Sequence, residues 1–323
     1  MLFIATAAIT AFIVGFAMKR GGLCTYVAAL QIIQQRTAER MFTFLGAAAW
    51  ATIVIVPLSW WFPDWVKLSY THNYITTTIV GGLIIGLGAY LNKGCMFGTF
   101  VQLVGGNLTY LATLIGMSIG AAMTYQFFVK SIPITLNITQ VAQPGLIAYC
   151  WLLFAALFAL RMLFQISPTS DSRNNSIKRP RLRQRQAIFI MLILGVGGGL
   201  LSTTISGWDY ASVLTKITFI TIDPHATGPK TLAIICAFSM IAGGIYAAIS
   251  ADNFKIQSPQ LFPFIACLAG GSLMGAAAII IPGGNDGMLL KGIPSLASHA
   301  IIAYAIMITA MLGLIAIFRS KPT

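Results

Sequence analysis

Charged residues are scarce in this chain, and their scarcity determines the class of protein. Only 8% of the 323 residues are charged and 57% are hydrophobic, whereas an ordinary soluble domain has about 25% charged residues. A soluble enzyme, a disordered chain and a disulfide-rich secreted domain are therefore excluded. The composition indicates an all-α polytopic membrane protein.

Several common motifs are also missing. The five cysteines form no C-x-x-C pair and the three histidines are scattered, so we expect neither a disulfide framework nor a metal site. The sequence has no nucleic-acid motif, and the net charge of +13 is typical of basic loops on the cytoplasmic side of a membrane. The sequence has no nucleotide-binding motif, so we expect no cofactor, and any driving force would have to be an ion gradient.

Long apolar runs are what the sequence has instead. A transmembrane helix needs about 20 apolar residues, and nine runs approach or reach that length: 2–18, 41–62, 74–91, 108–129, 146–164, 186–205, 230–250, 261–281 and 297–318. Four glycine-bearing apolar segments between them are too short to span. Backbone N–H and C=O groups without hydrogen-bond partners are tolerated at membrane depth only where protein or water surrounds them. These segments are therefore predicted to be re-entrant half-helices: 21–35, 92–105, 206–218 and 282–295.

The basic residues predict the orientation in the membrane. The stretch Arg161–Arg185 holds seven Lys and Arg residues and only one acid, so we place it in the cytoplasm. Alternation of the spans then puts the N-terminus outside and the C-terminus inside. With this orientation 15 of the 20 Lys and Arg residues are cytoplasmic.

An internal repeat divides the chain. At an offset of 189 residues Gly81–Gly86 matches Gly270–Gly275, and a weaker match sets Gly15–Leu30 against Gly198–Val213. Five spans separate equivalent positions, and because this number is odd the halves are inverted. Interrupted helices of inverted repeats meet near the midplane around a solute. The alternative is a chance similarity of glycine-rich segments. The predicted parts are 1–130 as the first repeat, 131–185 as the connecting helix and basic loop, and 186–323 as the second repeat.

The two re-entrant segments of the first half resemble each other chemically. Each has basic residues, then glycine, then one cysteine, Cys24 or Cys95, where a short helix should begin. Helix N-termini attract anions, glycine lets the backbone approach a ligand, and a thiol is a soft, weak donor. The pattern predicts a site for a sulfur-containing anion, although both cysteines could instead be small buried apolar residues. The predicted binding residues of this half are Cys24, Cys95, Gly22, Lys93, Gly94 and Gly98.

The second half has aspartates where the first has cysteines. Asp209 and Asp286 lie where short helices should begin, and each could cap its helix. The alternative is a proton or cation site coupled to transport, since acids at membrane depth are costly and usually functional. The last re-entrant segment also contributes three predicted binding residues, Gly283, Gly284 and Asn285.

The glycine and cysteine elements around Cys24 and Cys95 resemble the YeeE/YedE family of bacterial membrane proteins, known for thiosulfate uptake, over essentially the whole chain. The resemblance implies an hourglass of nine spans in the cytoplasmic (inner) membrane and an associated cytoplasmic sulfur-carrier protein. It also implies that thiosulfate passes three cysteines through S–H···S hydrogen bonds. Two of these correspond to Cys24 and Cys95, but the third aligns with Gly284.

We therefore predict a permease, not an enzyme, for a small inorganic sulfur anion, with thiosulfate as the first choice. Because Gly284 replaces a cysteine, another small anion is an alternative. A membrane thiol oxidoreductase is a second alternative, and it would need cysteines able to pair with each other or with a resolving thiol. A structural or assembly subunit is a third, and it should tolerate the loss of both Cys24 and Cys95.

Overall fold

The chain folds into helices of very different lengths. The structure, a computed structural model, describes residues 2–70, 75–129, 144–164, 188–281 and 283–318. Within these ranges no β-strand is present, and one isolated bridge joins Asn107 to Gln257. The helices are α1 (Leu2–Gly21), α2 (Thr25–Gln35), α3 (Glu39–Trp61), α4 (Ile75–Leu91), α5 (Met96–Leu103), α6 (Leu111–Thr124), α7 (Leu146–Phe164), α8 (Ile188–Thr204), α9 (Tyr210–Ile222), α10 (Thr231–Ile249), α11 (Leu261–Ile280), α12 (Gly284–Gly287) and α13 (Ser298–Ile317).

Eight segments of the described chain are long and apolar enough to cross a membrane. They contain α1, α3, α4, α6, α7, α10, α11 and α13, and many large apolar side chains on their outer faces are exposed, as lipid-facing residues would be. The sixth predicted span, 186–205, corresponds to the shorter apolar helix α8. The all-α polytopic membrane fold is thus confirmed, and the count of nine spans stays a prediction.

Each predicted re-entrant segment contains a short helix or most of one, since α9 continues past the predicted end at 218 to Ile222. These helices are α2, α5, α9 and α12, with 11, 8, 13 and 4 residues, and each is too short to cross a bilayer, which needs about 17 residues or more. A π-helical turn, Met288–Gly292, extends α12. Their re-entry into the membrane stays a prediction. The basic loop at 166–186 lies outside the described residues.

Glycines bring the long helices into backbone contact. A Cβ atom on Gly15 of α1 would overlap the Met240 carbonyl of α10, and one on Gly243 of α10 would overlap the Phe12 carbonyl of α1. Such close approach is typical of small residues at helix interfaces in membranes. The pair α1 and α10 therefore packs tightly, and Cys236 of α10 is fully buried.

Two further helix pairs use glycines that the 189-residue offset makes equivalent. Gly82 and Gly86 of α4 lie against the backbone of α13, and Gly271 and Gly275 of α11 lie against the backbone of α6. The helices α4 and α11 also pack against each other. Equivalent glycines thus make equivalent contacts, which agrees with an inverted repeat. The division into repeats remains a proposal.

Candidate substrate site

Two buried thiols meet where two short helices begin. Cys24 precedes α2 and Cys95 precedes α5, each with an extended backbone at the N-cap position. Their Sγ atoms are 3.9 Å apart, and the backbone N–H of Thr25 donates to Cys95 Sγ at 3.1 Å. Both side chains are buried. The structure therefore brings together the two cysteines that the sequence singled out.

Gly98 allows this approach of α5 to Cys24. A Cβ atom at Gly98 would overlap Cys24 Sγ, whereas a Cβ atom at Gly94 would come no closer than 3.6 Å to a neighbour. Gly22 turns the chain between α1 and Cys24 with φ of 55°, a conformation that favours glycine. The three glycines thus have different roles: Gly22 turns the chain, and Gly98, within α5, makes room for the Cys24 thiol.

Asn92 holds the loop that presents Cys95. Its Nδ2 donates to the Gly94 carbonyl at 2.8 Å and to Thr99 Oγ1 at 2.9 Å, and Thr113 Oγ1 donates to its Oδ1 at 2.6 Å. The side chain is buried and its hydrogen bonds join the loop to α5 and α6. Sequence reasoning missed this residue, although a lone Asn between an apolar span and a cysteine tip was a visible signal.

The predicted lysine is exposed, unlike the buried thiols. Lys93 is exposed and has a left-handed backbone with φ of 49°. It precedes the buried loop, so its side chain does not belong to the buried group around Cys95. Lys19 is a basic residue that precedes Cys24, as Lys93 precedes Cys95, and its Nζ donates to the Val101 carbonyl at 2.9 Å.

The start of α12 lies close to the starts of α2 and α5. Gly283 and Gly284 have φ of 106° and 57°, which turn the chain so that Asn285 is buried. Asn285 Nδ2 lies 3.5 Å from Thr25 Oγ1. A Cβ atom at Gly284 would be 3.7 Å from the methyl group of Met96, directly after Cys95. Residues of the first and last segments are therefore neighbours.

The two aspartates have different local roles. The Asp209 side chain accepts a hydrogen bond from Ser212 N–H at 2.8 Å and caps α9, as the capping interpretation predicts. Asp286 lies in the first turn of α12, whose N-cap residue is Gly283, so it is not the N-cap residue of α12.

Both aspartates line one cavity beside the thiol region. It is small, with a volume of about 10 Å³, and three methionines are among its lining residues: Met18, Met96 and Met240. Tyr210 also lines it, and its hydroxyl donates to the Met96 carbonyl at 2.7 Å. This hydrogen bond joins the start of α9 to the start of α5. The described part of the chain contains no group of three or more His, Cys, Asp and Glu that could hold a metal ion.

Apolar helices of span length around a buried thiol pair, with acids and amides beside it, define a polytopic membrane protein with a polar interior. The chain belongs to the sulphur-transport family, whose model matches residues 20–314, and the resemblance to YeeE/YedE is thereby confirmed. It is similar to the thiosulfate transporter TsuA of Spirochaeta thermophila, with 23% identity covering 92% of this chain and 94% of that protein. A membrane transporter of a sulfur anion is the function that these similarities support.

Proposed function

We propose that the chain is a permease for a small inorganic sulfur anion, with thiosulfate as the first choice, and that the anion passes Cys24 and Cys95. The observation that supports this most directly is the Sγ–Sγ distance of 3.9 Å between thiols that both begin short helices. Helix N-termini stabilise negative charge, and a thiol is a weak donor with a soft, polarisable sulfur.

Thiosulfate fits this arrangement because it has a soft terminal sulfur as well as three oxygens. A thiol can donate to the terminal sulfur, and the backbone N–H of Thr25, now bonded to Cys95 Sγ, lies beside the same thiol. The similarity to a thiosulfate transporter over 92% of the chain supports the same substrate. Sulfate has only the oxygens and should be bound less well.

The cavity lined by Asp209 and Asp286 is proposed as the part of the path on the other side of the thiols. An acid at membrane depth is costly and usually functional. Asp209 caps a helix, so Asp286 is the better candidate for a coupling proton or cation. An ionised Asp286 would repel a passing anion, and protonation would remove that repulsion.

We further propose multi-pass insertion in a bacterial cytoplasmic membrane, with the N-terminus outside and the C-terminus inside. The exposed Lys93 would then lie on the cytoplasmic side, where the anion leaves. A cytoplasmic sulfur-carrier protein of the kind associated with the family is the partner that we propose there. The transport itself requires no chemical conversion of the anion.

The rival function is a membrane thiol oxidoreductase, and the distance between the thiols is the observation in its favour. Sulfur atoms 3.9 Å apart need a movement of about 2 Å to reach the length of a disulfide bond. An oxidoreductase would convert its substrate and would stop when the thiols are kept reduced or blocked. A permease would deliver intact thiosulfate while both thiols remain reduced.

The test is uptake of labelled thiosulfate into proteoliposomes under reducing conditions, with sulfate, sulfite and selenite as competitors. We expect saturable uptake, weak competition by sulfate, and chemically intact thiosulfate in the vesicle interior. Uptake that is absent, or a product that differs from thiosulfate, would contradict the proposed function. Empty liposomes give the background rate.

A further inference from the structure

A buried tyrosine hydroxyl makes no hydrogen bond of ordinary length and angle in the described part of the chain. Tyr304 of α13 is only 3% exposed, and Thr25 is its polar neighbour without completing such a bond. The Oδ1 atom of Asn285, which is 1% exposed, is in the same situation. Buried polar groups are nearly always hydrogen-bonded, so two such atoms require an explanation.

Both groups lie around Thr25, beside the thiol pair. Thr25 and Cys95 are among the polar neighbours of the Tyr304 phenol, and Asn285 Nδ2 lies 3.5 Å from Thr25 Oγ1. Thr25 in turn donates its N–H to Cys95 Sγ. The side chains that lack partners therefore belong to α12 and α13, whereas the thiols belong to the loops before α2 and α5. Four elements thus contribute to one small region.

We propose that Tyr304 and Asn285 form an oxygen-binding subsite next to the thiols, a proposal that rests on the proposed function. The phenol O–H donates to one oxygen of the anion. The carboxamide can turn about its terminal torsion, so its N–H donates to a second oxygen. The thiols face the terminal sulfur at the other end, and the anion is held in one orientation.

Such a two-ended site selects its substrate by chemistry at both ends. Thiosulfate satisfies the thiols with its terminal sulfur and the Tyr304 hydroxyl with an oxygen. Sulfate lacks the soft end, and hydrosulfide lacks the oxygens. When the anion is absent, the Tyr304 hydroxyl and Asn285 Oδ1 remain without partners within the described residues. On binding, the anion would accept from the Tyr304 hydroxyl. The Asn285 Oδ1 atom, turned toward Thr25, would accept from the Thr25 hydroxyl instead.

The test is Tyr304→Phe, which keeps the ring and removes only the hydroxyl. Thermal unfolding of the purified protein is followed with and without thiosulfate. Without thiosulfate the variant should unfold at the same temperature as the wild type or at a higher one, because an unpaired buried hydroxyl is removed. Its apparent affinity for thiosulfate should fall about ten-fold or more, as for a lost hydrogen bond to a charged partner.

The matched control is Tyr246→Phe. Tyr246 is 58% exposed on α10 and its ring contacts Phe12 and Phe16, contacts that phenylalanine keeps. This variant should bind thiosulfate like the wild type. Asn285→Leu, which has a similar volume and no donor, is the second variant and should also weaken binding.

The outcomes separate this inference from the proposed function. If Tyr304→Phe and Asn285→Leu both bind thiosulfate like the wild type, the subsite is wrong while the permease stands. A Tyr304→Phe protein that unfolds at a lower temperature without the anion would also overturn it, because the hydroxyl would then have a structural partner. If the wild type neither binds nor transports thiosulfate, both proposals fail.

Discussion

At the scale of single residues, Gly94 before α5 and Gly98 within α5 provide a matched comparison. Gly98→Ala should reduce thiosulfate uptake about ten-fold or more, because its Cβ would overlap Cys24 Sγ and overpacking of this kind costs about 1–3 kcal/mol. Gly94→Ala should transport almost normally, since its Cβ meets only ordinary contacts at 3.6 Å or more. Uptake at equal protein content measures both. Equal uptake by the two variants would contradict the packing of α5 against Cys24.

Asp286 gives a second prediction for a single residue. If it holds the coupling proton, Asp286→Asn should flatten the pH dependence of uptake, because the neutral amide removes the group that titrates. Asp64→Asn is the control, since Asp64 is exposed in the short connection after α3 and does not line the cavity. Initial uptake rates over a range of pH values measure the difference. A wild-type pH profile in Asp286→Asn would show that this acid is not the coupling site.

The sequence was informative about some residues of the site and silent about others. Both re-entrant segments of the first half have a cysteine after glycine, and this pattern predicted Cys24 and Cys95 as site residues. The residue type and its position before a short helix can both be read from the sequence. Tyr304 could not be found this way, since it lies inside an apolar span and its meaning depends on an unpaired hydroxyl. Lys93 shows the opposite case, because a base near a cysteine in sequence lies exposed in the structure.

At the scale of helices, the glycine contacts predict where a methyl group is tolerated. Gly275→Ala should lower the thermal stability in detergent by about 1–3 kcal/mol, because its Cβ would overlap the Met117 carbonyl of α6. Gly313→Ala in α13 has open space around its Cβ and should be neutral or slightly stabilising, since alanine favours helices. A thermal melt of each variant compares them. Equal stability of the two variants would contradict the tight packing of α11 on α6.

The long helices could be predicted from the sequence because an apolar run of span length has few alternatives in a bilayer. The irregular parts could not be predicted to the same extent. The helix α8 contains a π-helical turn, Ile193–Gly198, and its Gly195 lies against the Ala47 carbonyl of α3. Such a turn depends on tertiary contacts that hydropathy does not contain, so only the existence of the helix was predictable.

At the scale of the whole molecule, the basic residues predict the orientation. A single cysteine introduced at Ser172, in a background without the native cysteines, should be labelled by an impermeant reagent only from the cytoplasmic side. One at Asp64, in the short connection after α3, should be labelled from outside. Labelling in intact and permeabilised cells tests both positions. Labelling of position 172 in intact cells would show that the predicted orientation is wrong.

The inverted repeat also belongs to this scale. Its sequence signal is a few glycines at one offset, and it predicts that the first and last short segments approach each other. Asn285 and Thr25 are neighbours across the two halves, a contact that supports the proposal but that spacing along the chain could not specify. The labelling experiment above tests which membrane surface the short segments of each half face.

The central claim is that the anion passes the thiol pair, and uptake by three cysteine variants tests it most directly. Cys95→Ala removes the thiol that lies 3.9 Å from Cys24 Sγ, and a lost hydrogen bond in a dry site costs about 1–3 kcal/mol. Labelled thiosulfate uptake in proteoliposomes should therefore fall by about one to two decades. Cys95→Ser should also be impaired because it lacks the soft sulfur. Cys236→Ala, a buried cysteine of α10, should transport almost normally. If Cys95→Ala and Cys236→Ala transport equally well at matched protein content, the claim is wrong and Cys95 only fills space.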